Sequence, residues 1–140
     1  MKRVKLLFVA LFVATIALTS CGKYEEGPSI SLRSKTSRIT GEWKMVKQMY
    51  NGTEVALSNE EKNWVFDIQK DGKFMMKTSY GNMDGTWEFS SDKEKLIIKQ
   101  TILGQTTTQE STIMRLTNKE LILEDVDEDG DKSRTEMEKQ

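Results

Sequence analysis

Short segments in which apolar and polar side chains alternate fill the chain from residue 39 to its end. A period of two places successive side chains on opposite faces of a β-strand, and no long stretch of this region keeps the spacing of an amphipathic helix. The fold class is therefore predicted to be all-β. We predict eight strands, at about residues 40–50, 63–69, 73–79, 83–90, 95–102, 106–117, 120–126 and 132–139.

The residues between these segments favour tight turns. Asp71-Gly72 places a glycine where a hairpin turn needs a positive φ. The other reversals are marked by Gly81-Asn82, Ser91-Asp92, Gly104, Asn118 and residues 127–131. Short connections make sequence neighbours into sheet neighbours, and a meander of eight twisted strands tends to close on itself. The sequence predicts an eight-stranded antiparallel up-and-down barrel, either filled by side chains or holding one small ligand.

The first twenty residues have the three zones of a secretion signal. Lys2, Arg3 and Lys5 are followed by an apolar run over residues 6–18 and by Leu18-Thr19-Ser20-Cys21. The apolar run is shorter than the ~20 residues with which a helix crosses a bilayer. We therefore predict a cleaved signal peptide over residues 1–20.

Leu18-Thr19-Ser20-Cys21 resembles the lipobox of bacterial lipoproteins. The resemblance implies that the Cys21 thiol carries lipid and that Cys21 becomes the first residue of the mature protein. Cys21 is the one cysteine of the chain, so no disulfide forms within it. Several acyl chains, palmitate among them, would hold the protein durably on a membrane, because one chain binds only weakly. The alternative is a spare or buried thiol.

Residues 21–38 are predicted to form a flexible tether between the lipid and the domain. They hold the one proline, several serines and almost no periodic apolar pattern, so the domain is placed at residues 39–140. The start of this segment, Cys21 to Glu26, resembles the signal that sends some Bacteroidota lipoproteins to the outer face of the outer membrane. The expected location is the outer membrane, facing either the surface or the periplasm.

Charge and composition exclude several function classes. Removal of residues 1–20 leaves 18 basic and 22 acidic residues, a net charge of −4 that disfavours nucleic acid as a partner. The chain has no histidine, and its cysteine is assigned to lipid. No nucleophile elbow or phosphate-binding glycine loop is present either. We expect no enzyme activity.

Gly41-Glu42-Trp43, at the start of the first strand, resembles the G-x-W signature of lipocalins. With the lipobox in front, the chain resembles the lipocalin-like lipoproteins of the Bacteroidota over residues 40–140. In that family the tryptophan closes the narrow end of the barrel beneath a basic residue of the last strand. The resemblance therefore implies a barrel-closing set of Gly41, Trp43 and Lys139.

If the first strand rises from the closed end, the loops at 51–62, 80–82, 103–105 and 127–131 surround the open end. In the first of these loops, Val55-Ala56-Leu57 either covers the entrance as a lid or pins the loop down. Alternation places a set of methionines and aromatic residues nearest the mouth. The predicted lining is Met49, Trp64, Phe66, Met76, Tyr80, Met83, Trp87 and Ile102. These side chains either line an adaptable apolar cavity or fill the barrel.

The acidic string near the C-terminus satisfies the spacing of a calcium-binding loop. The candidate ligands are Asp125, Asp127, Asp129, Asp131 and Glu136. The flanking segments are predicted strands rather than helices, and Asp129-Gly130 also suits a plain hairpin turn. A calcium site and an acidic turn both remain open, and no other cofactor is expected.

Two functions fit these observations. One is a lipid-anchored carrier that takes up a small apolar or amphipathic ligand through the barrel mouth. The other is an accessory or surface protein whose barrel is filled and whose loops bind a protein partner.

Overall fold

The computed structural model describes residues 24–27 and 31–140 of the chain. Within them lie the helix α1 (Lys35–Ile39), a 3₁₀ helix (Glu61–Asn63) and nine strands. The strands are β1 (Gly41–Tyr50), β2 (Thr53–Val55), β3 (Val65–Ile68), β4 (Lys73–Thr78), β5 (Gly81–Phe89), β6 (Lys95–Ile102), β7 (Gln105–Leu116), β8 (Glu120–Val126) and β9 (Lys132–Lys139). The eight predicted strands are found, each within two residues of its expected bounds, and β2 is an addition.

Every strand pairs antiparallel with its neighbours, in the order β2-β1-β3-β4-β5-β6-β7-β8-β9, and β1 also pairs with β9. This last pairing closes eight of the strands into a barrel and confirms the predicted fold class. β2 lies outside the ring, because it pairs only with the last residues of β1, Gln48 to Tyr50, across the Asn51-Gly52 turn. The loops after β1, β4, β6 and β8 surround the open end, as the strand directions require.

Two β-bulges interrupt the regular alternation of the wall. One lies in β1 between Met45 and Lys47, and the other lies in β7 between Ile113 and Arg115. A bulge inserts one unpaired residue, so the side chains beyond it point to the opposite faces from those that strict alternation predicts. The bulges therefore decide which residues of β1 and β7 reach the barrel interior.

The closed end of the barrel is filled around Trp43, whose side chain is fully buried. Its indole Nε1 donates a hydrogen bond to the carbonyl of Ile39 at 2.7 Å. Ile39 is the last residue of α1, a single helical turn that begins where the Ser34 hydroxyl accepts from the Ser37 amide. The fully buried side chains of this end are Trp43, Ile39, Leu96, Leu116 and Leu121.

Lys139, at the end of β9, lies across Trp43 with its Nζ atom 4.8 Å from the ring centroid. This is the contact that the resemblance implies. Nζ also donates to the carbonyls of Arg38 and Thr40, each at 2.7 Å. Gly41 has a φ of +136°, and a Cβ there would come within 3.1 Å of Lys139 Cε. Glycine at this position therefore adopts the positive φ without strain and leaves room for the Lys139 side chain.

The segment before the first strand is bound to the barrel rather than free of it. Tyr24 is buried, and its hydroxyl donates to the Lys93 carbonyl at 3.0 Å. The Glu26 carboxylate accepts two hydrogen bonds of 2.6 Å from the guanidinium of Arg134, and they lower the pKa of Glu26. The tether predicted over residues 21–38 is corrected here, since Tyr24 to Gly27 and α1 belong to the folded domain. Isolated anchoring residues leave no periodic signal in the sequence.

The signal peptide predicted over residues 1–20 and the lipid attachment predicted at Cys21 lie outside the described residues. Within residues 24–27 and 31–140, no helix is long and apolar enough to cross a bilayer.

Candidate functional site

A cavity of about 170 Å³ lies inside the barrel, between the packed closed end and the mouth. Its apolar wall includes Phe66, Ile68, Phe74, Leu96, Ile98 and Met137. These side chains come from β3, β4, β6 and β9, each at a position that the strand pairing turns inward. The volume is close to the ~150 Å³ of an engineered apolar cavity that holds benzene. The cavity thus admits one ring or a short alkyl group.

The polar wall of the cavity is formed by Gln109, Ser111, Asp125 and Thr135 from β7, β8 and β9, which also contribute the apolar Leu123 and Met137. The Ser111 hydroxyl, which is buried, donates to Asp125 Oδ1 at 2.6 Å. Gln109 Nε2 donates to Asp125 Oδ2 at 3.4 Å. The Ser111 hydrogen bond therefore orients the Asp125 carboxylate on the lumen side of β8, and the exposed Gln109 adds a longer, weaker contact.

Charged groups are scarce on the inner face of the barrel. Among the described strand residues, the pairing places two charged side chains there, Asp125 and Lys139. Lys139 is at the closed end, where burial lowers the pKa of its amino group while Trp43 and two carbonyls hold it. Asp125 is thus the charged group of the inner face that borders the cavity.

Gln100 is a second polar group of the inner face, opposite Gly85 on β5 and Thr107 on β7. Its Nε2 atom is buried and has no hydrogen-bond partner among the described residues. A Cβ at Gly85 would come within 2.9 Å of Gln100 Cγ and would clash with the Lys99 carbonyl oxygen. The glycine therefore lets the Gln100 side chain lie across the barrel interior.

Most of the predicted lining residues face inward. Of the eight, Phe66 is the one that borders the cavity. Trp64 and Met76 are partly buried against the core, and Trp87 is buried with its Nε1 donating to the Gln69 carbonyl at 2.7 Å. Met83 pairs with Met76 and so shares its inward face. Ile102 also has an inward register, but it is at the mouth and is 46% exposed.

Two of the predicted lining residues are wrong. Met49 follows the bulge in β1, so it pairs with Arg134 and borders a crevice on the outer wall. Tyr80 is in the turn between β4 and β5, is 78% exposed, and donates its hydroxyl to Glu60 at 2.6 Å. Alternation fails at both positions, because a bulge reverses it and a turn ends it.

The five candidate calcium ligands do not converge on one point. Asp125 faces the lumen, whereas Glu136 is on the outer wall beside Arg134. Asp127 accepts from the backbone amides of Asp129 and Asp131, which makes it the organising side chain of the β8–β9 turn. Asp131 accepts from the Tyr50 hydroxyl and from Asn51, and these bonds lower the pKa of Asp131. Strand alternation separates the carboxylates that a loop between helices would bring together.

Within the described part of the chain, no group of three or more acidic or cysteine side chains is arranged to hold a metal ion. The acidic string forms the turn between β8 and β9 beside the mouth, with Asp125 preceding it on the inner face of β8.

The sequence analysis did not predict the polar wall, and β7 shows the reason. Counting back by twos from Leu116 places Met114, Thr112 and Glu110 inside, but the bulge at Met114 puts Ile113, Ser111 and Gln109 there instead. For two further polar residues of the inner face, Gln100 and Asp125, a signal was present. The inward series Leu96 and Ile98 continues to Gln100, and the series Leu121 and Leu123 continues to Asp125.

The fold agrees with comparisons to known proteins. The solved structure of insecticyanin from the tobacco hornworm Manduca sexta superimposes on this chain with a TM-score of 0.57. The two sequences are 14% identical, and the match covers 84% of this chain and 68% of the insect protein. No curated protein sequence matches the chain significantly.

A family model described as a lipocalin-like domain matches residues 39–123. This stretch contains Gly41 and Trp43 and the strands from β1 into β8. Because the match covers more than half of the chain, the protein belongs to the family of lipocalin-like domains.

Proposed function

We propose that this protein binds a small hydrophobic or amphipathic ligand inside its barrel and acts as a lipid-anchored binding protein. The observation that carries the proposal is the cavity with one apolar and one polar wall. An apolar group gains free energy by leaving water for the first wall, and the second wall offers hydrogen bonds to a head group.

The mouth of the barrel supports entry of such a ligand. Large apolar side chains are exposed in the loops and strand ends at the open end, among them Tyr80, Ile102 and Leu103. Leu103 is fully exposed at the tip of the β6–β7 turn. Apolar groups around an opening give an amphipathic molecule a first contact before it reaches the interior.

The anchor rests on the lipobox at Cys21 and on the position of Tyr24. Tyr24 is buried against the barrel and is three residues from Cys21. Three extended residues span about 10 Å, so a lipid on Cys21 would hold the barrel directly against the membrane. Membrane extraction and metabolic fatty-acid labelling, compared between the wild-type chain and Cys21→Ser in a bacterial host, test this. Labelling that persists in Cys21→Ser would contradict lipid attachment at Cys21.

Ligand binding is tested with the mature chain, residues 21–140, carrying Cys21→Ser. Benzyl alcohol and 1-octanol are titrated by calorimetry, with Trp fluorescence as a second readout. The matched variants are Ile98→Phe, which adds a ring inside the cavity, and Ile97→Phe, which adds the same ring on the outer face of β6. We expect saturable one-to-one binding that Ile98→Phe abolishes and Ile97→Phe keeps. Equal binding by the two variants would place the ligand outside the barrel.

A further inference from the structure

The ligand class can be narrowed beyond small and amphipathic. We propose that the lumen selects amphiphiles with a positively charged, hydrogen-bond-donating head group, such as a primary amine on a ring or short alkyl group. The amine would be placed against Asp125. This inference rests on the proposed function, since it names the ligand class of the same cavity.

The Asp125 carboxylate is held ready for such a group. Ser111 donates to one of its oxygens and Gln109 to the other, and both donors are themselves residues of the cavity wall. Each carboxylate oxygen can accept more than one hydrogen bond, so acceptor capacity remains after these contacts. An ammonium group supplies the donors that fit this capacity, and charge-assisted hydrogen bonds are stronger than neutral ones.

No basic side chain among the described residues forms an ion pair with Asp125. The basic groups of the neighbouring wall are engaged on its outer side, where Lys132 pairs with Glu124 at 3.3 Å and Arg134 pairs with Glu26 at 2.6 Å. Lys139 is at the far, closed end. A ligand carboxylate would meet an uncompensated like charge in the lumen, whereas an amine would supply the missing counter-ion.

The rim of the barrel has the same sign of charge. The β8–β9 turn at the mouth contributes Asp127, Glu128, Asp129 and Asp131, and hydrogen bonds from Tyr50 and Asn51 lower the pKa of Asp131. Glu60 contacts Tyr80 in the β4–β5 turn at the same end. A concentration of negative charge around an opening raises the local concentration of cations and lowers that of anions. The acidic turn should therefore raise the local concentration of amines, the ligand class that Asp125 would bind.

The test uses three probes of one shape that differ in head-group charge: benzylamine, benzyl alcohol and benzoate. Each is titrated into the Cys21→Ser mature chain, into the same chain with Asp125→Asn, and into a control with Asp84→Asn. Asp84 is exposed on the outer face of β5, so its replacement removes the same charge away from the lumen.

We expect benzylamine to bind at least about tenfold more tightly than benzoate to the chain with Asp125. Asp125→Asn should remove the preference for benzylamine and should change the affinity for benzyl alcohol by no more than about twofold. Asp84→Asn should change neither the preference nor the affinity for benzyl alcohol. Benzoate binding as tightly as benzylamine would overturn the head-group assignment and leave the lumen site standing. Failure of all three probes to bind the folded protein would overturn the proposed function and the head-group assignment together.

Discussion

The two ends of the barrel interior differ in how completely their polar groups are satisfied. At the closed end, Trp43 donates to Ile39 and Lys139 donates to two carbonyls. Arg38 Nε is the exception there, because it has no partner among residues 24–27 and 31–140. In the half nearer the mouth, Gln100 Nε2 and Trp64 Nε1 are buried without a partner in the part of the chain that the structure describes. The cavity lies between these two regions.

This contrast separates stability from binding. A buried polar atom without a partner costs about 1–3 kcal/mol, so a barrel selected for stability alone would replace such groups with apolar ones. Proteins keep these costs where a ligand can offset them. We therefore propose that the closed end serves folding and that the polar half of the lumen serves ligand recognition, and substitutions in each half test this proposal.

The largest effect is expected at Trp43. Trp43→Ala removes a fully buried side chain and its hydrogen bond, and should lower the free energy of unfolding by about 3–5 kcal/mol. Trp64→Ala should lower the free energy of unfolding clearly less, because it removes a partly buried indole whose Nε1 has no partner within the described part of the chain. Urea denaturation of both variants measures the difference. Equal losses would remove the distinction between the two ends.

A smaller loss is expected from Lys139→Met. Methionine keeps an apolar stem over Trp43 but removes the cation–π contact and the donors to the Arg38 and Thr40 carbonyls. The expected cost is about 1–2 kcal/mol by urea denaturation. Lys139→Arg is the matched control, because its planar guanidinium keeps the charge, stacks on the ring and again donates hydrogen bonds. If Lys139→Met were as stable as the wild type, the lysine would not contribute to closing the barrel.

The two ends of the barrel also differ in how well they could be predicted from the sequence. The strands and the closed end could be predicted, because alternation runs unbroken through stretches such as Trp64 to Ile68. Trp43 and Lys139 then meet because the last strand of a closed meander runs antiparallel to the first. The contact is found where it was expected.

Part of the inner face was harder to predict, because the orientations of Met49, Ser111 and Gln109 depend on two bulges that leave no local signal. One extra residue at Val46 turns Met49 outward, and one at Met114 turns Ser111 inward. Asp125 was assigned to a calcium loop by its spacing, whereas the strand pairing shows that it faces the lumen. Contacts far apart in sequence, such as Tyr24 with Lys93, are likewise invisible to a local pattern.

The smallest change in stability is expected at Gln100, and it is the most direct test of the contrast. Gln100→Met and Lys139→Met introduce the same side chain at two positions of the inner face. Gln100→Met removes a buried donor that has no partner among the described residues, so the free energy of unfolding should stay the same or rise by up to about 1 kcal/mol. If Gln100 Nε2 is kept for a ligand acceptor, the same variant should bind benzyl alcohol about fivefold more weakly by calorimetry. A loss of stability as large as that of Lys139→Met would instead show that Gln100 supports the fold, and the division between a folding end and a recognition end would not hold.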